Sequence, residues 1–173
     1  MKSPPHRLDL DRIDTPIGDL LVVTDGPVLC AADFEDGTTR VPDLLRIRFG
    51  EVDLRPGTAP DAVRDAFARY FDGAMTAFDA LDLRTGGTAF QERVWAALRK
   101  LRPGERLAYS ALARRIGKPR AVRAVGAANG RNPISVVIPC HRLVGKDGSL
   151  TGYAGGLERK SWLLEHERQA VGA

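Results

Sequence analysis

Residues 109–131 read YSALARRIGKPRAVRAVGAANGR, and their pattern sets the architecture of the second half of the chain. A short helix is predicted from Ser110, a good capping residue, to Gly117, which can end it in a left-handed conformation. A second helix is predicted from Pro119, since proline suits a first turn, to about Gly130. Two short helices joined near a glycine have the outline of a helix-turn-helix, which also occurs in proteins that do not bind DNA.

The second of these helices has a small and basic surface. A backbone that lies close in a groove of DNA needs small side chains, and phosphates are bound by Arg or Lys. The small residues are Ala121, Ala124, Gly126, Ala127 and Ala128, and the cations are Arg120, Arg123 and Arg131. The alternative is that the alanines only permit tight packing between helices.

Charge is divided unevenly along the chain. Residues 1–88 hold ten Lys/Arg and 16 Asp/Glu, whereas residues 89–173 hold 16 and six, and the formal net charge of the whole is +4. A basic half joined to an acidic one predicts a polyanionic partner for the second half alone. A solvated basic surface without a ligand is the alternative. The small, basic helix favours contact with DNA.

The composition is that of a globular chain. Hydrophobic residues make up 43% of the 173 positions and charged residues 28%, which is enough apolar material for a core. No stretch approaches the ~18 apolar residues of a membrane span, and no apolar segment follows the N-terminus as in a secretory signal. Cys30 and Cys140 are the two cysteines. They make a weak case for a disulfide framework, so a cytoplasmic location is expected.

Short strands are predicted in the first half. Residues 17–24 are rich in strand formers, and after a turn signal residues 28–34 offer a second strand, inside which Cys30 is expected to be a buried, inert thiol. Residues 40–60 carry several Pro and Gly and have no defined element. Nothing in this half resembles a catalytic constellation.

An amphipathic helix is predicted at residues 62–71, closed by Gly73. A linker near residues 85–87 then divides the chain into an N-terminal α/β domain, residues 1–85, and a C-terminal domain, residues 86–173.

The second domain opens with a well-marked helix. Thr88 and Gln91 form a capping box, and Pro103-Gly104 breaks the helix. Its apolar face consists of Phe90, Val94, Trp95, Leu98 and Leu101.

The candidate nucleophile is Cys140. Residues 134–138 are apolar and β-branched and predict a buried strand, which holds Cys140 at its exit, next to the restricting Pro139. Because the thiolate is the reactive form, the thiol needs a nearby base or cation. Neighbouring side chains of a strand point to opposite sides, so a water is expected to bridge Cys140 and His141.

A glycine-rich loop and a last helix follow. Residues 147–156 read DGSLTGYAGG, which suits either a flexible pocket wall or a plain surface hairpin. The helix, predicted at 157–168, carries Glu167, which could orient His141 as the third member of a nucleophile–base–orienter set. It is expected to turn inward Trp162, Leu163 and Leu164.

The combined pattern resembles the O6-alkylguanine-DNA alkyltransferase family. Residues 139–142, PCHR, preceded by Asn132-Pro133, are similar to its active-site signature. Further similar motifs follow in the family's order at residues 90–95, 103–105, Tyr109, 112–113, 117–119, 123–126, 152–153, 155–156, Lys160, 162–164 and Glu167, and residues 15–20 resemble the family's N-terminal opening. The resemblance covers nearly the whole chain and is closest over residues 88–168.

The resemblance implies a fold and an activity. The N-terminal domain would be an α/β, ribonuclease-H-like module, and the mainly α C-terminal domain would carry a winged-helix-like helix-turn-helix. That domain would bind the minor groove of double-stranded DNA as a monomer and flip out the damaged base, because a stacked base is out of reach of a buried thiol. No cofactor is implied. The activity would be irreversible, single-turnover transfer of the alkyl group from O6-alkylguanine, with O4-alkylthymine a further candidate, to Cys140.

The family's catalytic roles carry over to matching residues. Cys140 would attack the alkyl carbon, and His141, oriented by Glu167, would take the thiol proton through a water. Tyr109 would donate a hydrogen bond or proton to the guanine leaving group. Asn132 would brace the active-site turn. The product is a thioether without an electrophilic carbonyl, so one turnover should inactivate the protein.

The family's binding roles also carry over. Arg123 would fill the gap left in the duplex, on a helix whose small residues Ala121, Ala124, Gly126 and Ala127 approach DNA. The guanine pocket would be lined by Val144, Tyr153 and Ala154. Many relatives have Ser at the positions of Ala108 and Ala154. A contact made through the backbone amide would be kept by Ala, whereas a hydroxyl contact would be lost. Some relatives hold a zinc ion, but Cys30 has no plausible partner set, and no metal is expected.

Two other functions are compatible with these residues. A thiol hydrolase would use Cys140, His141 and Glu167 as a triad and would turn over many times. A lesion sensor would bind damage without reacting, and the presence of Cys140 argues against it.

Overall fold

The computed structural model describes residues 4–172. The chain divides into two units, Met1–Gly86 and Gly87–Ala173. Within the described range, no helix has both the length and the apolar character needed to cross a bilayer.

A four-stranded mixed sheet frames the first unit. Its strands are β1 (His6–Ile13), β2 (Leu20–Asp25), β3 (Val28–Phe34) and β4 (Val52–Pro56), in the order β3-β2-β1-β4. The β1–β2 and β2–β3 pairs are antiparallel, and the β1–β4 pair is parallel. The two predicted strands are confirmed as β2 and β3, with β2 starting later than expected. Strand β1 was not predicted, although the alternation of Leu8, Asp9, Leu10 and Asp11 is typical of a half-buried strand.

Helix α1 (Arg40–Phe49) connects β3 to β4 and packs on the sheet. Its Val41 and Leu45 join a buried cluster that includes Cys30. The expectation that residues 40–60 lack defined elements is therefore wrong. The helix was not predicted because it contains Pro42, although proline is tolerated in a first turn. Cys30 is buried as predicted, and burial raises the pKa of its thiol.

Helix α2 (Asp61–Phe71) confirms the predicted amphipathic helix. Phe67 and Tyr70 are buried and pack on Phe78, with ring centroids 5.1 and 4.9 Å away. Gly73 follows with a φ of +102°, a conformation that suits glycine.

Helix α3 (Ala89–Arg99) opens the second unit, and its capping box is confirmed. The Gln91 amide donates to Thr88 Oγ1 at 3.2 Å, and the Thr88 amide donates to Gln91 Oε1 at 3.0 Å. Trp95 is buried, and its indole Nε1–H donates to the Ala128 carbonyl at 2.9 Å.

Helices α4 (Tyr109–Arg115) and α5 (Val122–Gly130) contact each other and α3. Gly117 ends α4 as predicted, with a φ of +72° and an amide that donates to the Arg114 carbonyl at 3.0 Å. The expected cap at Ser110 is wrong, because α4 begins at Tyr109 and position 108 is the N-cap. The expected start of α5 at Pro119 is also wrong, because a turn precedes the helix.

Helix α6 (Leu157–Gly172) ends the described chain and runs four residues beyond the predicted end. Leu163 and Leu164 are buried as predicted. Trp162 is only half-buried, contrary to expectation, and stacks on His166 at a centroid distance of 4.7 Å.

Candidate active site

A compact turn, and not a strand, leads to Cys140. The Ile138 amide donates to the Ile134 carbonyl at 2.9 Å, which closes one turn of chain. Val136 lies inside it with a φ of +72°, a rare backbone conformation for a β-branched residue. The predicted strand over residues 134–138 is therefore wrong: the run is buried and apolar, but a buried turn has the same composition as a buried strand.

Asn132 braces this turn from inside. Its Nδ2 donates to the Ile138 carbonyl at 2.7 Å, and its Oδ1 accepts from the Ile134 amide at 3.0 Å. The side chain is 1% exposed. One amide group thus holds both ends of the turn that precedes the thiol.

Cys140 begins a single-turn 3-10 helix, Cys140–Arg142. The premise that Cys140 and His141 alternate along a strand is therefore wrong. Strand β6 (Leu143–Val144) follows and pairs in parallel with β5 (Leu107–Ala108). This pairing brings the start of α4 close to the chain that follows the thiol. Cys140 itself is 5% exposed, so a substrate must enter the protein to reach it.

A buried charge cluster lies behind the 3-10 helix. Glu167 on α6 accepts from His141 Nε2–H at 2.7 Å and from Arg142 Nε and Nη2 at 2.9 and 2.8 Å. The Gly104 amide also donates to this carboxylate, at 3.2 Å, and Arg142 Nη1 donates to the Leu101 carbonyl at 2.6 Å. The structure thus brings His141 and Glu167 together, as the sequence predicted.

The protonation states within this cluster follow from burial and charge. Burial alone would raise the pKa of Glu167, but His141 and Arg142 together lower it well below its usual range. Burial lowers the pKa of His141, against the pull of Glu167. His141 is therefore neutral, with its proton on the Nε2 that faces the carboxylate. Its Nδ1 is an acceptor, and no donor within residues 4–172 bonds to it.

Lys160 is a buried residue of the site to which the sequence assigned no role. It is 0% exposed, and its ammonium donates to the carbonyls of Thr151 and Gly152 at 2.8 and 3.3 Å. Burial lowers its pKa, and the charge of Cys140 opposes that effect. Lys160 thus ties the glycine-rich loop to α6. A cation at an inward helix position gives no distinctive sequence signal.

Tyr109 contacts the same loop. Its hydroxyl donates to the Thr151 carbonyl at 3.2 Å, and burial raises its pKa. A Cβ added at Gly126 of α5 would make ordinary van der Waals contact with the tyrosine ring, at 3.9 Å. Tyr109 therefore lies between the loop and the small face of α5.

The other candidate residues differ in their exposure to solvent. On α5, Arg123, Ala124 and Ala127 are exposed, whereas Gly126 and the N-cap residue Ala121 are half-buried. Val144 is buried in β6, Tyr153 is half-buried in the loop, and Ala154 is exposed. Within residues 4–172, no three His, Cys, Asp or Glu side chains are grouped to hold a metal ion.

The neutral, buried His141 predicts a specific loss of stability in acid. Because its folded pKa lies below the ordinary 6.5, the unfolded chain binds more protons as the pH falls below that value. We expect the melting temperature to be highest above this pH and to decrease as the pH falls from 6.5 towards about 5, where protonation of Glu167 is still negligible. Circular dichroism melts measure this. The decrease should be much smaller in His141→Gln, and parallel curves for the two proteins would refute the assignment.

Comparisons with known proteins agree with this arrangement. The family model described as the 6-O-methylguanine DNA methyltransferase DNA-binding domain matches residues 89–169, and the model of its ribonuclease-like domain matches residues 11–85. The methylated-DNA–protein-cysteine methyltransferase of Salmonella typhimurium is 47% identical over 164 residues, which are 93% of this chain and 96% of that protein. The Mycobacterium tuberculosis protein of the same name is 44% identical over 168 residues, 93% of each chain.

Solved structures give the same result. The crystal structure of Mycobacterium tuberculosis O6-methylguanine methyltransferase superposes with a TM-score of 0.81 at 41% identity and covers 94% of both chains. The structure of the Mycobacterium tuberculosis protein in complex with DNA superposes with a TM-score of 0.80 at 41% identity, over 95% of this chain and 94% of that one. The predicted fold class and family resemblance are both confirmed. The chain belongs to the 6-O-methylguanine DNA methyltransferase family.

Proposed function

We propose that this protein repairs DNA by direct reversal, moving the alkyl group of O6-alkylguanine to its own Cys140. The observation that carries the proposal is the buried thiol at the start of a 3-10 helix, next to a neutral histidine whose tautomer is fixed by Glu167. The Nδ1 of that histidine can accept a proton, which is what activation of a thiol requires.

The transfer is a single displacement. The proton leaves Cys140 Sγ through a water to His141 Nδ1, and the thiolate attacks the alkyl carbon. The S–C bond forms as the C–O6 bond breaks, and the electron pair of that bond goes to the guanine. Tyr109 donates a hydrogen bond or its proton to this leaving group. The thioether product has no carbonyl for water to attack, so the protein is consumed in one turnover.

The two units have different roles in this function. The second unit, beginning near residue 86, binds double-stranded DNA and carries the thiol, whereas the first unit, to residue 85, has a structural role. Helix α5 lies in the minor groove with its small face towards the backbone. Arg123, which is exposed, fills the gap left by the flipped base. The base is held by Val144, Tyr153 and Ala154, and the Ala121, Ala124, Gly126 and Ala127 positions contact the groove.

The protein is proposed to act as a monomer in the cytoplasm without a cofactor. O6-methylguanine is the simplest substrate, and O4-alkylthymine is a second base to assay.

Intact-mass measurement tests the proposed function. Wild-type protein incubated with a duplex containing O6-methylguanine should gain the mass of one CH2 unit, and peptide mapping should place the methyl group on Cys140. Cys140→Ser should gain nothing, and the buried Cys30 serves as an internal control thiol. A labile adduct with many turnovers would instead indicate a hydrolase. Unmodified wild-type protein with tight binding to the lesion would indicate a sensor.

Replacement of Arg123 tests base flipping separately from chemistry. We expect Arg123→Ala to slow methyl transfer from duplex DNA by about tenfold or more and to leave transfer from the free base O6-methylguanine unchanged, since only the duplex has a gap to fill. Single-turnover rates on both substrates measure this. The control is Arg99→Ala, another exposed arginine of the second unit, which should alter both rates little. Equal losses on duplex and free base for Arg123→Ala would refute the role.

A further inference from the structure

Asn129 combines a place on the proposed DNA-binding helix with a buried side chain. It belongs to α5, yet it is 5% exposed, whereas Ala127 and Gly130 on the same helix are exposed. Burial of a side-chain amide costs free energy unless its polar atoms have partners. What Asn129 bonds to therefore indicates why a polar residue is buried there.

The NH2 group of the Asn129 amide is bonded to Cys140. Asn129 Nδ2 donates to the Cys140 carbonyl at 3.4 Å. This contact fixes the orientation of the amide, because the flipped group would place two acceptors against each other. A residue of the DNA-binding helix is thus bonded directly to the backbone of the nucleophile.

The other half of the amide is an acceptor with no protein donor. Asn129 Oδ1 is buried, and within residues 4–172 no group donates a hydrogen bond to it. His141 Nδ1 has the same property. Asn129 is hydrogen-bonded to the carbonyl of Cys140, and His141 follows Cys140 directly in the chain. Both acceptors therefore belong to residues that are joined to Cys140.

Water has the hydrogen-bonding groups that two such acceptors require. Its two hydrogens can be donated to two acceptors, while its oxygen accepts the hydrogen of a thiol. Two further candidates supply no such donor: Lys160 is directed to the loop carbonyls, and Tyr109 to Thr151.

We propose that Asn129 is a positioning residue for alkyl transfer: it fixes the Cys140 carbonyl and, together with His141 Nδ1, binds the water through which the thiol proton leaves. The inference rests on the proposed function and names a residue that it did not include. The thiol proton moves to the water oxygen as one water proton moves to His141 Nδ1. The second hydrogen of the water stays bound to its oxygen and hydrogen-bonded to Asn129 Oδ1, so a water molecule is regenerated.

Two substitutions at this position separate polar chemistry from packing. Asn129→Leu keeps the branched shape of the side chain, with somewhat greater bulk, and removes both polar atoms, whereas Asn129→Ser keeps a donor and an acceptor but leaves space for water. If the polar contacts matter, Asn129→Leu should be slower than Asn129→Ser, by about tenfold at neutral pH, as for the loss of one hydrogen bond to a reacting group. If Asn129 only fills space, the order of the rates should be reversed and should follow thermal stability.

The pH profile of the single-turnover rate gives a second readout. Without the water-binding acceptor, the thiol must ionise directly, so the rate of Asn129→Leu should approach that of the wild type only at higher pH. The control is Val125→Ala, a fully buried position on the same helix, which should lower stability but keep the wild-type profile. Rates are compared at temperatures at which each variant is folded. If Asn129→Leu does not fold, the rate and pH profile of Asn129→Ser are compared with those of Val125→Ala.

The outcomes distinguish this inference from the proposed function. Wild-type protein that gains a methyl group while Asn129→Leu has an unchanged rate and profile would overturn the role of Asn129 alone. Rates that follow stability across all three variants would overturn it as well. Wild-type protein that gains no methyl group would overturn both.

Discussion

Glu167→Gln is expected to lower both the stability of the protein and the rate at which Cys140 takes up a methyl group. Gln has nearly the same volume as Glu, but it replaces one acceptor oxygen with an NH2 group and removes the charge. Four hydrogen bonds from His141, Arg142 and Gly104 converge on the native carboxylate. At least one of these donors would then face another donor.

The loss of stability comes mainly from Arg142. Its side chain is 8% exposed and that of Glu167 is 0% exposed, so neither can be compensated by bulk water. Breaking a buried ion pair by removing one partner costs about 3–5 kcal/mol, because the remaining charge is left uncompensated. We expect a decrease of that order in the free energy of unfolding, measured by urea denaturation.

The loss of rate comes from His141. Without the carboxylate, the proton is no longer held on Nε2, and Nδ1 is a weaker base for the thiol proton. Positioned general bases contribute roughly a hundredfold or more, so a loss of that order is expected in the single-turnover rate.

Glu165→Gln is the matched control for Glu167→Gln. Glu165 lies on the same helix and also bonds to an arginine, Arg168, but it is exposed on the surface. Its replacement should change rate and stability little. A Glu167→Gln protein that is destabilised but reacts at the wild-type rate would show that Glu167 supports only Arg142. An unchanged stability would contradict the buried pair itself.

Lys160→Met should separate activity from stability. The ammonium holds two loop carbonyls, and hydrogen bonds from charged donors are worth about 1.5–3 kcal/mol each. If part of this hydrogen-bond free energy is needed to hold the loop in the shape of the pocket, the transfer rate should fall by about ten- to a hundredfold when the bonds are lost. Removal of the buried ammonium also relieves the desolvation cost seen in its lowered pKa, which offsets the loss of these bonds, so the free energy of unfolding should change little.

Comparison of two measurements tests Lys160. Single-turnover rates report the loop, and urea denaturation reports the fold. Lys100→Met, an exposed lysine just after α3, is the control and should affect neither measurement much. A Lys160→Met protein with the wild-type rate would refute the role of the loop contact. Parallel losses of rate and stability would mean that Lys160 supports the fold as a whole.

Features with a local physical cause were predictable from the sequence. The capping box of Thr88 and Gln91 requires two residue types at a fixed spacing, and Gly117 ends α4 because few other residues adopt a left-handed conformation. His141 and Glu167 could be paired through the family resemblance, and the structure places them 2.7 Å apart.

Features that depend on tertiary contacts were not predictable. The run at 134–138 has the composition of a strand, but the backbone bond from Ile138 to Ile134 and the bonds of Asn132 to both ends of the run make it a turn. Helix α1 was missed because the sequence alone does not show whether Pro42 lies in the first turn of a helix or prevents a helix. Asn129 gave no signal at all: an asparagine on a basic helix suggests solvent or DNA, and its burial against Cys140 follows from packing.

Glu167 gives reactivity and folding a common point of failure. The same carboxylate is the partner of His141 and the counter-charge of Arg142, and all three side chains are buried. A substitution or a proteolytic cut that removes Glu167 would therefore disturb the reactive histidine and the packing of the second unit together. Variants that keep a stable fold but lose the orientation of His141 are expected to be rare at this position.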